Sequence, residues 1–271
     1  MNSVERLYSE YLEVYFREVG LHSQVSSIYD RVFRYITPNW THVNIDGVEL
    51  RFRTVSRQEY QFFSGEIPER DILSDFINEL RENDTFVDIG AHLGLYTCIA
   101  SRQIVDAGKI YAFEPYPPNF DALIENVKAN DSRNIVETYN IAMSDSNESV
   151  EFFVFYEGVG STANSLHSEG KNREKIVVDS KRGDELRNQD INPDVVKIDV
   201  EGAELKVLKG MESMLDDGIP RVIYCEVHQN SLPKMGGSPD EVKELIEGHG
   251  YNVSIIGCKK GKTFWVKATR L

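Results

Sequence analysis

Two rhythms of apolar and polar positions divide the chain. In "VSSIYDRVFRYI", Val25, Ile28, Tyr29, Val32, Phe33 and Ile36 recur at the spacing of an amphipathic helix, which Pro38 ends. "HVNIDGVELRFRTV" then sets β-branched and aromatic residues on both sides of Asp46-Gly47, the signal of a tight hairpin. "PERDILSDFINEL" returns to helical spacing, with Ile72, Leu73, Phe76, Ile77 and Leu80 on one face. From Thr85 the rhythm becomes strand, loop and helix in alternation. "FVDIG", "KIYAFEP", "NIVETYNIAMS", "DVVKIDV" and "PRVIYCEVH" read as the strands of this alternation. "VEFFVFY" reads as an added antiparallel strand, and "YNVSIIG" with "TFWVKATRL" as a terminal hairpin. "NFDALIENVKAND", "AELKVLKGMESML" and "PDEVKELIEGHG" read as helices. The last carries Ser238 and Glu241 at capping-box spacing and Pro239 in the first turn.

Strands alternating with helices of this length predict an α/β fold with a doubly wound, mostly parallel sheet. Ligands of such sheets bind outside the carboxyl ends of the strands. The expected organisation is a helical and hairpin extension over 1–80 and a sheet domain over 81–271.

The 271 residues, 41% of them hydrophobic, can supply a real core. A formal net charge of −14 argues against a phosphate-gripping nucleic-acid binder. It fits an acidic, solvated surface, and a salt-loving source would give the same bias. No apolar run approaches the roughly 18 residues of a membrane span. The first residues lack a basic stretch followed by an apolar one, so no secretory signal is expected. Cys98, Cys225 and Cys258 are odd in number and widely spaced. They suggest a reducing compartment, the cytoplasm, and core positions rather than thiolate chemistry.

The loop Gly90-Ala91-His92-Leu93-Gly94 follows Asp88 at a strand end. It lacks the middle glycine of G-x-G-x-x-G, which lets a pyrophosphate approach the backbone. Glu114 ends the next strand, where an acid reaches a ribose diol. A ribose without phosphates points to S-adenosylmethionine, whose cationic amino group would suit Asp88. A nicotinamide-dependent oxidoreductase is the alternative on the same sheet, and it predicts the missing glycine turn. A binding or regulatory protein that keeps the cofactor fold without turnover is another.

"FVDIGAHLGLYT", "YAFEPYPPNFDALIENV", "NIAMSD", "VVKIDVEGAELKVLKGM" and "PRVIYCEVH" together resemble the FkbM family of S-adenosylmethionine-dependent methyltransferases. The resemblance runs from about Asp84 to His228 and departs at His92, where the family often has Asn. It implies a Rossmann-like, seven-stranded class I methyltransferase sheet and methylation of a hydroxyl. The implied acceptor is a sugar, a glycan precursor or a small metabolite. Asp88, Gly90, Ala91 and Gly94 would form the cofactor loop, Glu114 would hold the ribose, and Ser144 with Asp145 would lie near the adenine. Ser144-Asp145 also reads as a plain turn.

Methyl transfer to oxygen needs an aligned acceptor and a group to take its proton. Asp199, Glu226 and His228 stand at the ends of the fourth and fifth strands, and strand alternation sends Glu226 and His228 to one side. Asp199 is the expected hydroxyl contact or base, with Glu226 and His228 as acceptor contacts or alternative bases. The trio could also hold a divalent metal, but the spacing does not demand one and none is assigned. Glu201 and Glu204 read as first-turn helix acids, and His167 as a surface histidine. The acceptor pocket is expected from 1–80 and 156–175.

Overall fold

The computed structural model describes residues 38–54, 57–64, 69–105, 107–154, 174–259 and 262–270. The predicted helix over 25–36, His167 and nearly all of 156–175 lie outside them. The chain divides into two compact units, 1–68 and 69–271.

In the first unit β1 (Trp40–Ile45) and β2 (Val48–Arg53) form the expected hairpin. Asp46 and Gly47 both take left-handed φ, 51° and 89°, as a two-residue turn requires. Alternate residues Val43, Ile45, Val48, Leu50 and Phe52 are buried. Phe52 stacks on Phe63 of α1 (Arg57–Ser64), ring centroids 4.1 Å apart.

The second unit begins with α2 (Arg70–Glu79). This helix was expected in the extension, but its apolar face packs into the larger unit. Phe76 touches the rings of Phe86, Tyr96 and Tyr224 at 5.1–5.5 Å. Phe76→Ala would cost about 3–5 kcal/mol there.

A seven-stranded sheet follows, in the order β11-β12-β10-β9-β3-β4-β5. Its strands are β3 (Thr85–Ile89), β4 (Lys109–Phe113), β5 (Val136–Tyr139), β9 (Val195–Ile198), β10 (Val222–His228), β11 (Tyr251–Lys259) and β12 (Thr263–Arg270). Six strands run in one direction, and β12 runs antiparallel between β10 and β11. Helices α3 (Leu95–Gln103) and α4 (Pro117–Ala129) cross between the first parallel strands. On one face Val87, Ile89, Val196, Ile198, Ile223, Cys225 and Val227 form an apolar core with α5 (Glu204–Lys209) and α7 (Pro239–Gly248). The alternate residues face the other way, and there the polar side chains collect.

Three elements differ from the sequence expectation. "NIVETYNIAMS" is not one strand: β5 ends at Tyr139, and β6 (Ala142–Ser144) leaves for a separate sheet. That sheet, β6-β8-β7, contains the expected β7 (Ser149–Val154) and also β8 (Glu174–Arg182), which the pattern had not singled out. The helix expected from Ala203 to Leu215 breaks into α5 and α6 (Glu212–Asp216). Gly210 gives its carbonyl to Asp184 N (2.9 Å), and the Asp184 carboxylate accepts from Met214 N (3.0 Å). The turn that follows β8 (Gly183–Gln189) therefore holds the start of a second helix where one was continuous by pattern.

Cys98 and Cys225 are buried free thiols, the first pushed up to about 12 by burial. Among the described residues no helix is long and apolar enough to cross a membrane.

Candidate active site

The site is built on the carboxyl ends of β3, β4, β9 and β10. Asp88, Lys197, Asp199, Glu226 and His228 are the alternates of residues in the apolar core, so they share the opposite face. Side-chain alternation thus explains why a wholly buried strand, β9, carries a lysine.

Asp88 lies at the floor with no exposed surface. Its Oδ2 accepts from Thr97 Oγ1 (2.6 Å), and Lys197 Nζ stands 3.3 Å from Oδ1. Lys197 Nζ also donates to Gly90 O (2.7 Å) and lies 3.6 Å from Asp199 Oδ2. Burial pulls the lysine toward neutrality, but the charges of Asp88 and Asp199 outweigh it and raise its pKa. Asp88 is thus tied to Thr97 and Lys197, while its buried Oδ1 makes no hydrogen bond among the described residues.

Gly90 and Gly94 are required by the fold itself. A Cβ on Gly90 would stand 1.9 Å from the Asp199 carbonyl, and one on Gly94 would stand 2.6 Å from Leu123 Cδ1. Both have left-handed φ, 78° and 86°. Ala91, between them and His92, is buried at 4% exposure. His92 takes φ 52°, a conformation in which Asn and His are over-represented, so the departure from Asn leaves the loop intact.

Glu114 sits past β4 with its carboxylate buried. Oε2 accepts from His92 N (2.9 Å) and Oε1 from Tyr116 N (3.0 Å). Burial raises its pKa to about 7 against those two bonds. Each oxygen keeps a second lone pair. Ser144 ends β6 and Asp145 follows it. Ser144 Oγ donates to Asp145 Oδ1 (3.1 Å). Asp145 lines a cleft of about 200 Å³ with Leu205, Lys206, Leu232 and Gly237, and none of the acids above borders it.

At the end of β10 the expected trio does come together, with ligand atoms of Asp199, Glu226 and His228 within 4.8 Å of one another. Glu226 stands opposite Trp265 and His228 opposite Thr263 in the β12 register. Two further acids complete the cluster. Glu201 precedes α5 in a turn with φ 49°, and its Oε2 lies 3.3 Å from His228 Nε2. Glu204 opens α5 but turns inward, and its Oε1 accepts from Gly202 N (2.8 Å) and faces His228 Nδ1 at 2.7 Å. Glu204 is thus the expected first-turn acid of α5, but a buried one, and both acids also face His228.

The electrostatics follow from this crowding. Burial raises Glu201 to about 8 against the pull of His228. Burial and the charge of Asp199 raise Glu226 to about 7. Burial would lower His228, but Glu204, Glu201 and Asp199 hold it up to about 10. Asp199 is lowered, because Lys197 and His228 outweigh its own burial.

A family model described as the methyltransferase FkbM domain matches residues 88–253, more than half of the chain, with Asp88, Glu114 and the acids around His228 inside the match. The chain belongs to the FkbM methyltransferase family. The hexuronic acid methyltransferase AglP of Haloferax volcanii is 30% identical over 225 residues, covering 81% of this chain and 85% of that one. The methyltransferase sdnD of Sordaria araneosa is 29% identical over 239 residues, with 78% and 89% covered. The 31-O-demethyl-FK506 methyltransferase FkbM of Streptomyces tacrolimicus is 28% identical over 208 residues, with 65% and 75% covered. Membership of the FkbM family sets aside the oxidoreductase alternative.

Sequence reasoning missed Lys197, Thr97 and the inward turn of Glu204. A lysine inside "VVKIDV" was the available signal, since a buried ammonium must find acids on its own face.

Proposed function

We propose that this FkbM-family methyltransferase moves a methyl group from S-adenosylmethionine to a hydroxyl of a sugar or glycan precursor. The observation that carries the reading is a row of carboxylates, buried Glu114 and Glu226 with half-buried Asp199, along carboxyl ends of one mostly parallel sheet. Such a row repels phosphates and favours a cationic, phosphate-free cofactor. The residues fit that molecule: Glu114 is a buried acid with lone pairs left for a ribose diol, over a loop held by Lys197. Gly90, Ala91 and Gly94 shape the loop, and Ser144 with Asp145 close the adenine end. Bound there, the cofactor supplies an electrophilic methyl group on a sulfonium.

The chain's own share is to hold the acceptor hydroxyl and take its proton. Asp199 and Glu226 face that hydroxyl and accept the proton. His228 has a carboxylate at each ring nitrogen, so it positions the acids rather than serving as base. A uronic acid is the favoured acceptor class, given the name of AglP. The unpaired thiols Cys98, Cys225 and Cys258 favour a reducing compartment, the cytoplasm.

The test is incubation with methyl-deuterated S-adenosylmethionine and a uronic-acid-containing glycan, read by mass spectrometry. Label on an acceptor oxygen is expected. Cofactor binding without label on any of a panel of glycans would favour the non-catalytic alternative. Glu114→Ala should weaken cofactor binding by about 100-fold or more, since a buried charged acceptor is lost; unchanged affinity would sink the ribose assignment.

A further inference from the structure

The cluster at the end of β10 has more acids than its cations can match. Asp199, Glu201, Glu204 and Glu226 crowd around His228, while Lys197 is taken up largely by Asp88 and Gly90 O. The cluster is largely shielded from water: Glu204 has no exposed surface, Glu226 is 6% and His228 7% exposed, while the Asp199 and Glu201 side chains are half-buried. Burying such a surplus is unfavourable unless something positive joins it.

The histidine is oriented for that role. Glu204 Oε1 holds Nδ1 at 2.7 Å, which turns Nε2 toward Asp199 Oδ1 at 3.9 Å. An imidazole held through one nitrogen by a carboxylate, with the other facing two more carboxylates, is the arrangement that outer-shell acids give metal-binding histidines. The two oxygen donors and one nitrogen donor of Asp199, Glu226 and His228 lie within 4.8 Å of one another, a spread that small side-chain movements convert to a single coordination sphere. Two buried polar atoms near this point have no hydrogen-bond partner among the described residues. One is the Tyr96 hydroxyl, which feels the charges of Asp199 and Glu226. The other is Trp265 Nε1, whose residue stands opposite Glu226. Both are donors suited to water or acceptor oxygens held at the cluster.

We propose that Asp199, Glu226 and His228 bind one divalent first-row metal ion, with Glu204 as the outer acid that orients His228. The inference rests on the reading of this cluster as the acceptor end. Two carboxylates with one imidazole suit Mn²⁺ or its neighbours better than an all-oxygen ion such as Ca²⁺. Three protein ligands leave positions open for two oxygens of one acceptor. A hydroxyl beside a second hydroxyl or a carboxylate, as in a uronic acid, would chelate there. The ion would let a negatively charged acceptor enter a site that otherwise repels it, and it would acidify the bound hydroxyl, easing transfer of its proton to the cluster carboxylates.

The experiment uses the full chain without cofactor or acceptor, titrated with MnCl₂, while electron paramagnetic resonance reads the free aqueous ion. Loss of the free signal equivalent to one ion per chain is expected. Asp199→Asn and Glu226→Gln should each weaken binding by about 100-fold, and Glu204→Gln by about 10–100-fold. Asp240→Asn, an exposed acid on α7, should leave it unchanged. Circular dichroism of each variant excludes misfolding as the cause. No loss of free signal, or loss undiminished in Asp199→Asn and Glu226→Gln, would overturn the proposal. A parallel calorimetric titration with S-adenosylmethionine separates the two readings. Cofactor binding without Mn²⁺ binding removes the metal and leaves the methyltransferase proposal; the converse removes the methyl donor and leaves the metal.

Discussion

At the start of β10, Arg221 bonds Asp84 Oδ2 (2.7 Å) and Glu79, while Lys267 of the neighbouring strand bonds Asp75 (2.7 Å) and Glu79 (3.0 Å). At the end of the same strand, His228 stands 3.3 Å from Glu201 and 3.9 Å from Asp199, and buried Glu204 Oε2 has no hydrogen-bond partner. The lower cluster is partly open to solvent, and its charges are closed by short pairs. Glu79 is accordingly lowered, because Lys267 and Arg221 outweigh its burial. The upper cluster is more deeply buried, and there Glu201 and Glu226 are raised instead. Similar residue types serve the fold where charges match and leave a binding site where they do not. Strained ionisation in a cleft is a mark of function rather than of stability.

The comparison breaks most sharply under substitution of the upper acids. Glu226→Gln or Asp199→Asn should reduce methyl transfer by about 10²–10⁴-fold, with thermal stability equal to or above that of the parent. A large fall in melting temperature would mean that these acids hold the fold. Lys197→Met should do the reverse, because it leaves Asp88 buried without its cation. A loss of about 3–5 kcal/mol in urea unfolding is expected; unaltered stability would show that the pair is not ionised.

Arg221→Met should cost about 1–3 kcal/mol and leave the transfer rate per folded molecule unchanged. A selective loss of activity would erase the distinction between the two ends. The smallest effect concerns Glu114. Its pKa of about 7 lies above its ordinary value of 4.5, so the folded protein holds a proton that the unfolded chain has lost. The stability this contributes is present below about 4.5 and disappears as the pH rises through about 7. A ribose diol donating to the carboxylate favours the charged form. Cofactor binding at pH 7 should therefore release about half a proton, seen as a buffer-dependent heat that is lost in Glu114→Gln. Equal heats in buffers of different ionisation enthalpy would remove Glu114 from the contact.

Much of this architecture is legible in the residues. The alternation from Thr85 onward gives the parallel sheet, Asp46-Gly47 gives the hairpin, and period-2 alternation puts Glu226 and His228 on one side. What stays hidden depends on contacts distant in sequence. Glu201 and Glu204 look like helix-terminal acids until His228, on another strand, is brought against them. The pairing of Asp88 with Lys197, far along the chain on β9, has no local signal either. The break between α5 and α6 arises from Asp184, which no local pattern connects to Met214.

The central claim is that the carboxyl end of the sheet holds S-adenosylmethionine beside the acid cluster. Calorimetric titration of the purified chain with that cofactor, with NADH as control, tests it most directly. The account predicts micromolar binding of the first, none of the second, and loss of the signal in Glu114→Ala. Absence of S-adenosylmethionine binding, with or without a glycan acceptor present, would contradict it.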